Sequence, residues 1–378
     1  MRNCTVEPCL PKNCSNTSVT GTDREECVDI GTENIFSPTL QALFIIVLLV
    51  MMASAVLGNT VVCYIVCKKP AMRSSINLLL ANLALVDILI ALFCMGASFV
   101  TLAANDWVFG HILCKMNAFC LSFFVTESTY ILLAISWDRY LIIVCRQETL
   151  TPRKAKFVIA LTWAISFLLS FPPTVGWGDY VYKRGHVICA LNDDAYSYSL
   201  FFYTLTIVIP LLVMGFVYHR ILCTVRKNST KIVNHPPVSG AQTRIHKSGK
   251  MSINYGFKTR AFLTILILFV GYIICFLPYL VARLDAATGR HLKLTTLTEV
   301  VIIFICYLNS AINPLVYYTR ISKFREACRD IVPSWCCSSM PCTPKRPRRR
   351  IFPHVIYEVG DSNERSISFN GSSLGVFN

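Results

Sequence analysis

Seven long stretches with almost no charged residues constrain this chain more than any other feature of its sequence. Each has at most one Asp, Glu, Lys or Arg, and together they hold 176 of the 378 residues. The stretches are Asn34–Cys67, Ser74–Asn105, Met116–Trp137, Phe157–Gly178, Ala195–Tyr218, Ala261–Ala282 and Val300–Thr319. A helix needs about 20 apolar residues to cross a bilayer, and all seven stretches reach that length. The pattern predicts seven membrane spans.

The spans are predicted to be helices rather than strands. Backbone groups in hydrocarbon must be hydrogen-bonded inside the protein, so each span is a helix or part of a closed barrel. Barrel strands alternate over about 10 residues, whereas these stretches are longer and do not alternate. The predicted fold is an all-α membrane protein, a seven-transmembrane helix bundle with a short cytoplasmic amphipathic eighth helix. The predicted domains are the extracellular N-terminus (1–36), the bundle (37–319), the amphipathic helix (320–332) and a flexible cytoplasmic tail (333–378).

Loop charges predict the orientation. With the N-terminus outside, the cytoplasmic parts carry 27 Lys and Arg against 7 Asp and Glu, and the extracellular parts 9 against 12. An excess of Lys and Arg on the cytoplasmic side is the usual arrangement. We therefore expect a multi-pass plasma-membrane protein with an extracellular N-terminus. The net charge of +15 then reflects topology, and no nucleic-acid partner is expected.

Several modification sites are predicted outside the spans. Sequons at Asn3, Asn13 and Asn16 predict N-glycosylation. In the tail, cysteines after the amphipathic stretch are candidates for palmitoylation, with unmodified thiols as the alternative. These cysteines are Cys336, Cys337 and Cys342.

Extracellular cysteines predict disulfides, because that side of the membrane is oxidising. A bridge between Cys114, at the outer mouth of the third span, and Cys189, in the loop between spans four and five, would hold that loop over the bundle. The four cysteines of the N-terminal segment would form two further bridges or, alternatively, bind zinc.

Polar residues inside the spans are the main functional signal, because the chain has no HExxH, Walker, GxSxG or CxxC motif and we expect no enzyme. An intramembrane charge is costly and usually functional. Asp87 lies in the second span and Glu127 in the third. Asn59, Ser128, Asn309 and Asn313 also lie mid-span. Either these four gather with Asp87 around a cation, or they make separate hydrogen bonds of about 0.6 kcal/mol each.

Motifs in successive spans, in order, resemble those of rhodopsin-like (class A) G-protein-coupled receptors. They are Gly58-Asn59, Leu83-Ala84 with Asp87, Cys114, Asp138-Arg139-Tyr140, Trp163, Pro210 and Tyr218, Cys275 and Pro278, Asn313-Pro314 with Tyr317, and Phe324. Segments 257–271, 320–328 and 348–357 are similar to a small orphan branch sometimes grouped with lysophospholipid receptors.

The resemblance implies partners and roles. The partners are a heterotrimeric G protein, arrestin, receptor kinases, the lipid bilayer and an extracellular ligand of unknown identity. The implied coupling and switch residues are Asp138, Arg139, Tyr140, Tyr218, Lys258, Asn313, Pro314 and Tyr317, and the implied hinge comprises Tyr272, Phe276 and Pro278. A sodium pocket is implied at Asp87, Ser128, Asn309 and Asn313, and no other cofactor is expected.

Three residues depart from the family pattern. Phe276 stands where Trp is usual, and Tyr272 stands where Phe is usual one turn deeper. Lys258 stands where the family often has an acid facing Arg139. Since like charges cannot form that contact, we expect raised basal activity.

The implied ligand site lies between the outer halves of spans three, five, six and seven. Leu121 occupies the position of the amine-binding Asp, which argues against monoamines. Tyr307 stands at the retinal-linking position, which argues against an opsin.

Two charged candidates leave alternatives open. Arg283 either meets an anionic ligand or pairs with Asp285 or Glu299. Glu127 either hydrogen-bonds to span four or five or contacts a ligand.

Three functions follow from these patterns. The first is a G-protein-coupled receptor, with an anionic lipid as one candidate ligand. The second is a receptor-like protein that acts by constitutive coupling or by pairing with another membrane protein. A transporter or channel is a distant third, because the spans show neither repeated charges nor paired broken helices.

Overall fold

The computed structural model describes residues 36–147, 150–192, 196–234, 242–288 and 294–331. These residues form seven long helices in the order of the predicted spans. The helices are α1 (Pro38–Lys68), α2 (Ser75–Ala104), α3 (Gly110–Ile143), α4 (Pro152–Ser170), α5 (196–234), α6 (Gln242–Ala287) and α7 (Thr296–Arg320). A shorter helix, α8, covers Ser322–Ile331. Short 3₁₀ helices lie at Pro70–Met72 and Pro172–Val175.

Six of the helices in the described part of the chain are long and apolar enough to cross a membrane: α1, α2, α3, α5, α6 and α7. Helix α4 is shorter, at 19 residues, and its first turns carry Arg153, Lys154 and Lys156. The apolar stretch predicted for this span extends to Gly178, but α4 ends at Ser170. Pro172 and Pro173 explain the difference, because proline has no N–H with which to continue the helix.

Two helices contain a π-helical segment that the sequence patterns do not predict. The segment in α2 covers Ile90–Met95, and the segment in α5 covers Thr204–Val208. The second lies just before Pro210, which donates no backbone hydrogen bond and crowds the carbonyl four residues earlier. The proline accounts for the widened turn.

Helix α3 lies at the centre of the bundle, where it packs against α2, α4, α5 and α6. Helix α1 packs against α2 and α7. Gly58 allows α1 to approach α7 closely, because a Cβ at this position would lie 2.7 Å from two ring carbons of Pro314. Next to it, Asn59 Nδ2 donates to the Ser310 carbonyl of α7 at 3.1 Å.

Strands β1 (Tyr180–Tyr182) and β2 (Cys189–Leu191) form an antiparallel hairpin between α4 and α5, with Tyr180 opposite Leu191. The predicted Cys114–Cys189 disulfide is confirmed and attaches β2 to the start of α3. We call this end of the bundle the disulfide end. The opposite end, where α3 carries Arg139, is the Arg139 end.

Candidate functional site

A cavity of about 790 Å³, counting its open mouth, lies between α3, α5, α6, α7 and strand β2. Two of the predicted ligand candidates, Leu121 and Tyr307, line it, as does Phe276 of the predicted hinge. None of the described residues that line the cavity is charged.

Most hydroxyl groups of the lining already have partners inside the protein. Thr126 and Thr206 donate to backbone carbonyls of their own helices, each at 2.7 Å. The Tyr307 hydroxyl lies 2.8 Å from Ser98 Oγ of α2. A ligand body in this cavity therefore meets a mainly apolar wall.

Ionisable residues lie instead next to the cavity, in a group beside Tyr279 that we call the rim cluster. Arg283 Nη2 of α6 and His186 Nδ1 of the hairpin loop lie 3.5 Å and 3.0 Å from the same oxygen, Oε2 of Glu299 on α7. The Arg283 guanidinium also lies 5.2 Å from the ring centroid of Tyr279, which lines the cavity. Of the two alternatives for Arg283, the structure shows the pairing with Glu299. This rim cluster connects the hairpin loop to α6 and α7.

A second ion pair connects the hairpin to α3. Lys115 Nζ lies 2.8 Å from Oδ1 of Asp179. Partial burial acts to raise the pKa of Asp179, but hydrogen bonds from Lys115 and the Tyr180 N–H outweigh it and hold this pKa below its usual value.

The predicted sodium-pocket residues are all buried. Asn313 Nδ2 donates to Asp87 Oδ2 at 2.8 Å. Asp87 Oδ1 and Ser128 Oγ have no hydrogen-bond partner among the described residues. Ser128 and Asn309 line the cavity. A carboxylate, a hydroxyl and an amide are oxygen donors of the type that hard cations bind, so the residues present fit a sodium ion.

At the Arg139 end, Arg139 donates to Oδ2 of Asp138 through Nε at 3.1 Å and through Nη2. The backbone N–H of Leu150 donates to Oδ1 of the same carboxylate at 3.3 Å. Lys258 falls within α6, but its side chain lies outside the described residues.

Two tyrosines connect α3 to its neighbours at different depths. The Tyr272 hydroxyl of α6 lies 2.6 Å from Thr129 Oγ1. The Tyr218 hydroxyl of α5 lies 2.8 Å from Ser136 Oγ, two helical turns further along α3. The Tyr317 hydroxyl of α7 is buried and has no hydrogen-bond partner among the described residues.

Glu127 is fully buried and does not line the cavity. Its carboxyl group contacts Asn82 of α2 and both Thr162 and Ser166 of α4. The expected contact with span four is present, whereas no hydrogen bond to α5 occurs among the described residues. The contact with α2 was not predicted.

Sequence and structure comparisons identify the family. Residues 58–317, more than half of the chain, match the sequence profile described as "7 transmembrane receptor (rhodopsin family)". The chain belongs to this receptor family. The receptor is therefore a multi-pass plasma-membrane protein that signals through G proteins.

Its relatives include one with a named ligand. The receptor is 41% identical to the "High-affinity lysophosphatidic acid receptor" of Xenopus laevis, over 86% of this chain and 91% of the relative. It is 39% identical to the human "Probable G-protein coupled receptor 45", over 90% and 94% of the two chains. The predicted position near lysophospholipid receptors is confirmed.

The fold also resembles that of squid rhodopsin. The TM-score is 0.71 at 22% identity, and the match covers 80% of this receptor and 88% of that chain. At this identity the comparison supports the fold alone.

Several predicted sites lie outside the described residues. They are Asn3, Asn13, Asn16, Cys336, Cys337 and Cys342. Within the receptor bundle, the patterns missed Asn82, Thr129 and Tyr279. Asn82 could have been found as a further polar residue inside a span. The contacts of Thr129 and Tyr279 depend on how the helices are rotated, which a single sequence does not show.

Proposed function

We propose that this receptor binds an amphipathic ligand with an apolar body and an anionic head, and in response promotes nucleotide exchange on a heterotrimeric G protein. The observation that carries the ligand class is the uncharged cavity next to the rim cluster, which holds the Arg283 guanidinium and the His186 imidazole. Lysophosphatidic acid has this chemistry, and the named ligand of the Xenopus laevis relative supports it.

In this proposal the disulfide end faces outwards. The N-terminus is extracellular and glycosylated, and the Arg139 end meets the G protein. The excess of Lys and Arg in the loops of the Arg139 end supports this orientation. Arrestin and receptor kinases would act at the same end, and tail palmitoylation would anchor the segment after α8 to the membrane.

The anionic head would compete with Glu299 for Arg283 and His186. A phosphate offers several acceptor oxygens, and charge-assisted bonds to Arg are stronger than neutral ones. The apolar tail would then occupy the cavity against Leu121, Phe276 and Tyr307. Tight binding alone would not activate the receptor. A ligand shifts the equilibrium between the inactive and active conformations only if it binds one of them more tightly than the other.

Contacts below the cavity offer a route to the Arg139 end. Phe276 stacks on Tyr272 with centroids 4.6 Å apart, and Tyr272 bonds to Thr129 of α3. Movement of α6 about Pro278, which lies inside the helix, would separate Tyr272 from Thr129. Arg139 would then leave its contact with Asp138 and contact the G protein instead. A sodium ion at Asp87 would oppose this change.

Lys258 favours a second candidate, in which the receptor couples mainly without ligand or by pairing with another membrane protein. An acid at this position would hold Arg139, and a lysine cannot. The two candidates differ in whether signalling needs an added ligand.

The experiment that tests the proposal is a dose–response of G-protein activation in cells that express the receptor, with 1-oleoyl lysophosphatidic acid as the probe. We expect activation, and we expect Arg283→Gln to weaken potency by about 10- to 100-fold, as loss of a charged hydrogen bond of about 1.5–3 kcal/mol implies. Arg184→Gln is the matched control, because Arg184 is exposed in the same loop as His186.

No response to the lipid at confirmed surface expression would contradict the ligand class. An equal loss of potency in Arg184→Gln would contradict the specific role of Arg283. A high signal without lipid, unchanged by its addition, would favour the second candidate.

A further inference from the structure

Glu127 is a buried acid that has no role in the proposed signalling, and its state of charge needs an explanation. Its side chain is fully buried in the middle of α3. Glu127 Oε1 lies 2.9 Å from Asn82 Nδ2 and 2.9 Å from Thr162 Oγ1, and its Oε2 lies 3.1 Å from Ser166 Oγ. All three partners are neutral, and no ion pair joins Glu127 to a described cation. An ionised carboxylate is strongly disfavoured in such surroundings.

The orientation of the Asn82 amide is fixed by a second contact. Trp163 Nε1 lies 2.9 Å from Asn82 Oδ1. An indole N–H only donates, so the amide oxygen must face Trp163 and the NH₂ group must face Glu127. Glu127 Oε1 therefore accepts a hydrogen bond from Asn82.

Thr162 then decides where the remaining proton lies. Its Oγ1 is 2.8 Å from the Ile159 carbonyl of its own helix and 2.9 Å from Glu127 Oε1. A hydroxyl has one proton and cannot donate to both acceptors. Ser and Thr inside helices commonly donate to a carbonyl of the preceding turn. The short contact between Thr162 and Glu127 then needs a proton from Glu127.

We propose that Glu127 is held as a neutral carboxylic acid, a proton-binding site inside the membrane that joins α2, α3 and α4. Its Oε1–H donates to Thr162, the same oxygen accepts from Asn82, and Oε2 accepts from Ser166. Thr162 donates to Ile159. Each contact then has one proton. If Glu127 were ionised, Thr162 could donate to only one of its two neighbours, and its Oγ1 would face the other oxygen with no proton between them.

The proton serves a structural role in this arrangement. The groups that face Glu127 from α2 and α4 are Asn82, Thr162 and Ser166, and none of them titrates. Because Glu127 is fully buried among neutral partners and does not line the cavity, we expect it to stay protonated from mildly acidic to mildly alkaline pH. The neutral acid thereby joins α2, α3 and α4, and this role depends on neither the ligand nor G-protein coupling.

Infrared spectroscopy of the full-length receptor in lipid nanodiscs tests the proposal. We expect a carbonyl-stretch band of a protonated carboxylic acid that disappears in Glu127→Gln and remains in Asp87→Asn, the control for the other buried acid. The band should not change between mildly acidic and mildly alkaline buffer. If Glu127→Gln instead removes bands of an ionised carboxylate and leaves the acid carbonyl band unchanged, the proposal is overturned.

Thr162→Val gives a second test that keeps Glu127 in place. It removes the acceptor of the Glu127 proton, so the acid carbonyl band should move to higher frequency. Thr162→Ser, which keeps the hydroxyl, should leave the band near its original position. If Glu127→Gln does not fold, the two Thr162 variants test the proposal by themselves. An acid carbonyl band at the same frequency in Thr162→Val and in the unmodified receptor would overturn it.

Discussion

The hydroxyl of Tyr272 on α6 and Oγ1 of Thr129 on α3 lie 2.6 Å apart, and both residues are fully buried. Thr129 also donates to the Val125 carbonyl at 2.9 Å, so Tyr272 is the donor of the bond between the helices. Tyr272 stacks on Phe276, which lines the cavity. The bond therefore connects α6 to the central helix, α3, next to the cavity.

Removing this bond is expected to raise ligand-free signalling. Tyr272→Phe keeps the ring and loses a bond of about 0.5–1.5 kcal/mol, which shifts the balance of the two states by up to about tenfold. Thr129→Val should act more strongly, because it leaves the Tyr272 hydroxyl buried without its acceptor. The measurement is G-protein activation at equal surface expression.

Tyr203→Phe is the matched control for these variants, since the Tyr203 hydroxyl lies 3.5 Å from that of Tyr279, away from Thr129. Ligand-free signalling of the Tyr272→Phe, Thr129→Val double variant should be little higher than that of either single variant, because both substitutions remove the same contact. Unchanged ligand-free signalling in both single variants would contradict the role of this bond.

Gly58→Ala should destabilise the bundle by about 1–3 kcal/mol, the usual cost of overpacking. The added Cβ would lie 2.7 Å from the Pro314 ring and would push α1 away from α7. Gly215→Ala is the control, because a Cβ at Gly215 meets nothing within 4 Å. Thermal unfolding of the purified receptor measures the stability of both variants. Equal melting temperatures for Gly58→Ala and Gly215→Ala would show that α1 and α7 are not closely packed at Gly58.

Replacing sodium by choline in the medium should raise ligand-free signalling, because the sodium ion proposed at Asp87 would favour the conformation in which Asn313 lies against Asp87. Asp87→Asn should abolish this sodium dependence, since the amide brings no negative charge. The signal is recorded at constant ionic strength. A sodium effect of the same size in Asp87→Asn would place the ion elsewhere.

Glu299→Gln should increase the potency of 1-oleoyl lysophosphatidic acid. Glu299 Oε2 contacts both His186 and Arg283, so in the proposed complex it would compete with the anionic head for the same two side chains. A gain of about tenfold corresponds to 1.4 kcal/mol, within the range for charged hydrogen bonds. Lower potency than in the unmodified receptor would mean that Glu299 supports ligand binding rather than opposing it.

The sequence predicts features that depend on local composition. The order of the helices follows from hydropathy. The Cys114–Cys189 bridge is predicted from the extracellular side of both cysteines and from their places at the mouth of span three and in the loop after span four. The charge-free stretch that predicts the fourth span continues past Ser170 to Gly178, whereas Pro172 and Pro173 stop α4 at Ser170. Prolines thus override hydropathy at this boundary.

Contacts between distant side chains could not be predicted in the same way. The pairing of Asn82 with Glu127 and of Thr129 with Tyr272 depends on the rotation of each helix about its axis. Hydropathy does not fix this rotation in a membrane, because residues that face lipid are as apolar as those that face the bundle. For Arg283 the sequence offered two partners and a ligand, and only the geometry shows Glu299.

Ligand-free nucleotide exchange on purified G proteins of the four main classes, with the reconstituted receptor, is the most direct test of how this chain signals. We expect exchange above the receptor-free level with at least one class and loss of that exchange in Arg139→Ala. We also expect a reduction in Lys258→Glu, which introduces the acid that the family often has at this position. Exchange by Arg139→Ala equal to that of the unmodified receptor would contradict coupling through Arg139. A low signal that Lys258→Glu does not reduce would contradict the raised basal activity inferred from Lys258.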